Sequence, residues 1–180
     1  MIDEIKSKFG EQRTENCLSS ENRTEFYIAE NDQTNKSYIV PDTEESIDLD
    51  KCFTVKNKLE KNVSHISIDN CFLTSQYEYA GEKCDFIAFT DEKFCFVELK
   101  TNAAKKKQTR KNMKKARNQL GATTDYFDDN EIDFSQHTLE AYIVLKNKLY
   151  PTDQASIKER RKKFFDQYEV DLFEESEVAF

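Results

Sequence analysis

The stretch CDFIAF-TDEK-FCFVELK, residues 84–100, decides the fold. Two apolar runs flank a polar turn. A loop over 90–93 makes the stretch a β-hairpin in which Phe89 faces Phe94 and Asp85 faces Glu98. Cross-strand neighbours lie about 4.5–5.5 Å apart at Cβ, and like charges there are destabilising. Two facing carboxylates, with Lys100 two residues beyond Glu98, imply neutralisation by a cation. Alternation sets Glu98 and Lys100 on the face of the second strand that carries Phe94 and Phe96, and Asp85 on the face of Ile87 and Phe89. The polar groups gather at one end of an otherwise apolar sheet face.

Upstream of the hairpin, residues 64–73 (SHISIDNCFL) alternate as a strand, with Ile66 and Ile68 on one face and a bend near Asp69-Asn70. Residues 51–63 read equally as strand or short helix. Residues 24–41 form a second hairpin, TEFYIAE and KSYIVP around the turn NDQTN. Residues 1–23 are a short helix or a loose arm.

Downstream, a long helix spans about 103–127. Met113, Ala116, Leu120 and Phe127 give its apolar stripe, and Gly121 inside it suggests close packing. The run Ala141-Tyr142-Ile143-Val144-Leu145 is a buried strand. A last helix covers 153–168, capped by Thr152 or Asp153. The order strand, strand, strand, helix, strand, helix predicts an α/β domain, a mixed sheet with helices on its faces. The expected segments are an acidic extension with a hairpin (1–50), a core (51–170) and an acidic tail (171–180).

The chain has 180 residues and a net charge of −8, and all of that excess lies in residues 1–50, with 13 acids against 5 bases. Lys100 to Arg117 carries nine bases and no acid. Helices that merely face water mix signs for i,i+4 pairing, so Lys105, Lys106, Lys107, Arg110, Lys111, Lys114, Lys115 and Arg117 are candidate contacts to nucleic-acid phosphates. Lys158 and Arg160 to Lys163 form a second basic cluster. The acidic head is a candidate docking surface for a protein partner, and a homo-oligomer is left open.

Three glycines and two prolines exclude a Gly-rich phosphate loop, and two histidines argue against a His-rich zinc site. Five cysteines without a CxxC read as reduced, mostly buried thiols. With no apolar run long enough for a membrane span and no signal-like start, a cytoplasmic protein without membrane contact is expected.

Two carboxylates, Asp85 and Glu98, with the backbone carbonyl of Leu99, suit a hard divalent cation. Asp85, a strand turn and Glu98-Leu99-Lys100 resemble the signature of the PD-(D/E)xK nuclease superfamily, with Cys84-Asp85 where the family often has Pro-Asp. Gln119 on the following helix, with Thr123 four residues on and Tyr126 beyond, resembles the Gln-x-x-x-Tyr motif of the RecB-like branch, although Thr123 stands where that motif has Tyr. The resemblance covers about residues 64–146. It implies a restriction-endonuclease-like core and Mg²⁺- or Mn²⁺-dependent hydrolysis of DNA phosphodiesters, in a setting such as bacterial defence or repair. In that scheme Asp85 and Glu98 hold the metal, Lys100 assists the attacking water and Gln119 supports the site. The family's upstream acid would fall first to Glu60, with Asp69 as the second candidate. The alternative is an inactive nuclease-fold subunit that binds nucleic acid or a partner protein.

Overall fold

The computed structural model describes all residues except 45, 78, 103–105, 147–148 and 152, and the side chains of Lys106 and Lys107 are also left aside. Lys105, those two side chains, the expected helix start at 103 and Thr152 as a cap therefore lie outside the described residues.

The chain begins with α1 (Ile2–Phe9) and α2 (Glu11–Glu15), followed by β1 (Leu18–Glu21), β2 (Glu25–Glu30), β3 (Ser37–Ile39) and β4 (Phe53–Lys56). The meander β5 (Val63–Ser67), β6 (Phe86–Phe89) and β7 (Lys93–Leu99) leads into α3 (Lys106–Asp129), β8 (Thr138–Val144) and α4 (Gln154–Tyr168). Two short strands, β9 (Asp171–Phe173) and β10 (Glu177–Ala179), close the chain. The expected order from β5 to α4 is the observed one. Asp153 caps α4 by accepting from the Ala155 amide.

The strands form two mixed sheets flanked by helices. One runs β1-β5-β6-β7-β8-β9, the other β10-β4-β2-β3. In the larger sheet β5, β6 and β7 are antiparallel, whereas β8 runs parallel to β7 and β9 parallel to β8. Strands from residues 1–50 and 171–180 enter both sheets, so the expected boundaries at 50 and 170 do not coincide with sheet boundaries.

Alternation along β6 and β7 divides their apolar residues between two cores. Ile87, Phe89, Phe94 and Phe96 pack with Met113, Ala116, Leu120 and Phe127 of α3. Phe86, Ala88, Cys95 and Val97 pack against Phe26, Ile28, Phe53 and Val55 of the smaller sheet. Burial on both faces explains why these strands read as continuous apolar runs. A Cβ at Gly121 would overlap the Tyr168 ring, so this glycine lets α4 seat against α3. Among the described residues, no helix is long and apolar enough to cross a membrane.

The cysteines require a correction. Cys17 and Cys71 form a disulfide with Cα atoms 5.7 Å apart, while Cys52, Cys84 and Cys95 are free and buried. Leu18 pairs with Ile66, so Cys17 meets the end of β5, and the turn after β5 brings Cys71 back to it. The bond closes a loop across 54 residues. Cys71→Ser should lower the unfolding free energy by about 2–4 kcal/mol. In urea titrations, reductant should bring the wild type to the same midpoint. An unchanged wild-type midpoint in reductant contradicts the bond.

Candidate functional site

The hairpin register is the expected one: Phe86 pairs with Val97 and Phe89 with Phe94. Asp85 lies one residue before β6, opposite Glu98, and its amide donates to the Val97 carbonyl at 3.1 Å. Its carboxylate Oδ2 accepts from the Leu99 amide at 2.5 Å, so one oxygen of Asp85 is engaged by the very residue between Glu98 and Lys100. The Asp85 carbonyl accepts from the amides of Ile68 (2.9 Å) and Asp69 (3.2 Å).

From the helix side, Gln119 Nε2 donates to the Lys83 carbonyl at 2.7 Å, and Thr123 Oγ1 accepts from the Cys84 amide at 2.8 Å. Gln119 and Thr123, one helical turn apart, thus grip the backbone just before Asp85. Gln119 reaches the segment that leads into β6 and not the carboxylate itself; its own Oε1 is buried without a partner among the described residues. At the far side of β7, the Lys100 amide donates to the Val144 carbonyl at 2.7 Å.

Glu98 is fully buried, and Asp85 is 8 % exposed. Lys100 Nζ pairs with Glu98 Oε1, whereas Glu98 Oε2 is buried with no hydrogen-bond partner among the described residues. An unpartnered buried carboxylate oxygen is costly, and the site relieves this by favouring protons. Burial pushes Asp85 up to about 7, against the pull of Lys100 and the Leu99 amide. Burial also raises Glu98 well above the usual carboxylate range; the neighbouring Asp85 adds to this and Lys100 opposes it. For Lys100, burial acts downward, but Glu98, Asp85 and Glu30 outweigh it and hold the ammonium above its ordinary value.

The two candidate upstream acids separate. Glu60 is exposed in the β4–β5 turn beside Lys61, which pairs with Glu92 at 2.6 Å. That is the hairpin-turn end of the sheet, opposite to Asp85, so Glu60 is excluded from the site. Asp69 follows β5 at the correct end, where it raises Asp85 and Glu98 electrostatically and meets Lys83 Nζ at 3.4 Å.

A further acid, Glu30, ends β2 and is half-buried. Burial raises it, Lys100 opposes that, and Asp69 and Asp32 add to it. Its placement follows from Ser37, its partner across the β2–β3 ladder. The Ser37 amide donates to Ser67 Oγ at 3.0 Å, and Ser37 Oγ meets His65 Nε2 at 2.9 Å. These contacts tie the end of the small sheet to the end of β5. Glu30 carries no sequence signal that separates it from the other acids of residues 1–50. His65, fully buried between Ser19 and Ser37, is held neutral by burial down to about 3.

Among the described residues, no group of three or more His, Cys, Asp or Glu side chains is set to hold a metal ion. The donor set instead fits a cation that takes one or two protein carboxylates and keeps its waters, as Mg²⁺ does. Glu98 Oε2 is the orphaned oxygen such an ion would satisfy. The Leu99 side chain turns to the opposite core, and its amide serves Asp85.

Arg110, Lys111, Lys114 and Lys115 are exposed on α3, off its apolar stripe, and none has an ion-pair partner among the described residues. Arg117, on the same side of α3 as Arg110 and Lys114, is half-buried and lines a groove against α4. No family model, curated protein or solved structure matches this chain.

The carboxylates make stability depend on pH. An unfolded Asp loses its proton near pH 4, whereas folded Asp85 keeps it to about pH 7. Between those values the folded state binds a proton that the unfolded state lacks, so stability falls as pH rises. Asp85→Asn retains the oxygen that accepts from Leu99 and removes that fall. With EDTA present, the variant and wild type should be equally stable at pH 4, and the variant should lead by about 2–4 kcal/mol at pH 8. Equal stability at pH 8 contradicts the buried-acid assignment.

Proposed function

We propose that this chain is a metal-dependent nuclease that hydrolyses phosphodiester bonds of DNA, built on a restriction-endonuclease-like core. The observation that carries the reading is the pairing of buried Asp85 and Glu98 at the open end of β6 and β7, with Glu98 Oε2 unpartnered and Lys100 beside it. The meander β5-β6-β7 followed by α3 and a parallel β8 supports the core assignment.

Asp85 and Glu98 would hold Mg²⁺ or Mn²⁺. A bound divalent ion supplies Lewis-acid polarisation of the phosphodiester and a lowered pKa for a water. Asp85 would give up its proton to a bound cation, because burial, with Glu30 and Asp69, keeps that proton on near neutral pH. Lys100 stays an ammonium at neutral pH, since Glu98 and Asp85 raise it. It therefore orients the water and stabilises negative charge building on the phosphate, and does not act as the base. Gln119 and Thr123 fix the backbone of Lys83 and Cys84, and thereby where Asp85 stands. Asp69 and Glu30 add negative potential at the same end.

A second reading has two observations in its favour. Lys100 closes on Glu98, and the described residues hold no three-ligand group. Both suit a nuclease-fold subunit that binds nucleic acid or a partner without turnover.

Linear, circular and single-stranded DNA incubated with Mg²⁺ or Mn²⁺ separate the two. The nuclease reading expects cleavage that EDTA stops. Lys100→Ala and Glu98→Gln should each reduce it by about 10²–10³-fold. Cleavage of equal rate in Lys100→Ala, or none in the wild type on any substrate with either metal, contradicts it.

A further inference from the structure

The α3–α4 groove contains a cation that forms no ion pair of its own among the described residues. Arg117, Arg160 and Lys163 line a cavity of about 280 Å³ together with Phe164 and Tyr168. Arg160 is committed: its Nε and Nη2 bond both oxygens of buried Glu174, at 2.8 and 3.0 Å. Lys163 pairs with exposed Glu159 at 2.7 Å across one helical turn. Arg117 has no such partner among the described residues, and its Nη1 is buried with no hydrogen bond. Burial, and then the like charge of Arg160, disfavour its guanidinium, while Glu174, already engaged by Arg160, opposes them. A half-buried guanidinium that shares its nearest carboxylate with another guanidinium favours a further anion.

The chemistry of that anion follows from its hosts. A guanidinium fork matches phosphate oxygens, and an ammonium at the rim adds a point charge. Arg110 and Lys114 precede Arg117 on α3 by seven and three residues, so they share its side of the helix, and both are exposed. A row of cations that leads into a groove is the footprint of a chain of phosphates, not of a single small anion.

We propose that the α3–α4 groove is a phosphate-binding site formed by Arg117, Arg160 and Lys163, and that it grips a backbone phosphate of a nucleic-acid strand away from the carboxylate pair. This deepens the nuclease reading by naming where the strand is held. The row Arg110, Lys114 and Arg117 leads the strand along α3 to the groove. The aromatic edges of Phe164 and Tyr168 form its apolar wall.

The test is binding of a short fluorescein-labelled oligonucleotide, single-stranded and duplex, read by anisotropy in EDTA over a salt series. Arg117→Gln should weaken binding about fivefold to tenfold and reduce the slope of log K against log salt by about 0.7–0.9, the loss of one phosphate contact. Lys163→Gln, an exposed change, should act in the same direction with a smaller loss. Lys162→Gln, whose lysine pairs with Asp166 outside the groove, should change nothing. Thermal melts establish that each variant is folded. Inorganic phosphate should compete with the strand for the wild type and compete less well for Arg117→Gln. Folded Arg117→Gln and Lys163→Gln proteins that bind the strand as the wild type does, at every salt concentration, overturn the site. Phosphate that binds the groove while the strand ignores both variants overturns the strand assignment. Because EDTA is present and only binding is read, this result stands or falls separately from cleavage by Asp85 and Glu98.

Discussion

The pairing of Phe86 with Val97 is the constraint on which the rest of this structure depends. One step beyond it, the same register sets Asp85 against Glu98. Two carboxylates in a dry location cannot both ionise cheaply. The protein answers with the Leu99 amide on one, the Lys100 ammonium on the other, and a raised hold on protons at the pair. Every neighbouring element then serves to keep that pair in place. The amides of Ile68 and Asp69 hold the Asp85 carbonyl from one side, and Gln119 and Thr123 hold Lys83 and Cys84 from the other.

The second sheet gives this arrangement its chemistry. A sheet with one wet face would leave water near β6 and β7 and relax both carboxylates toward ordinary titration. Here Phe26, Ile28, Phe53 and Val55 cover the face opposite α3, so the central strands are buried on both sides. The same small sheet delivers Glu30 to the site end through the contacts of Ser37 with Ser67 and His65. Burial, negative potential and the cation Lys100 are therefore consequences of the layer order and not separate features.

What was legible in the sequence was local. The hairpin register follows from loop length and alternation, the α3 stripe from a 3.6-residue period, and the Asp153 cap from residue type, and each involves residues close along the chain. What was hidden is long-range. Cys17 meets Cys71 only because β1 adds to the edge of the sheet beside β5, and nothing in the spacing of five cysteines announces that pairing. Glu60 ranks above Asp69 as the upstream acid in the sequence because a strand's residue pattern does not say at which end of the sheet it starts; the β4–β5 turn reverses that ranking. Gln119 was marked by its position on the helix, but its bond to the Lys83 carbonyl makes it a positioning residue. Glu30 stands on a different sheet, and a distance of more than fifty residues from Asp85 in the chain conceals its proximity.

We propose that Asp85 and Glu98 form a cation site that would release protons as the ion binds. Calorimetric titration of Mn²⁺ in buffers of different ionisation enthalpy reads both events together. The wild type should bind with release of protons, more at pH 6 than at pH 8, and Glu98→Gln should show neither heat of binding nor proton release. Mn²⁺ binding of equal affinity in Glu98→Gln, or no binding by the wild type across that pH range, would contradict it.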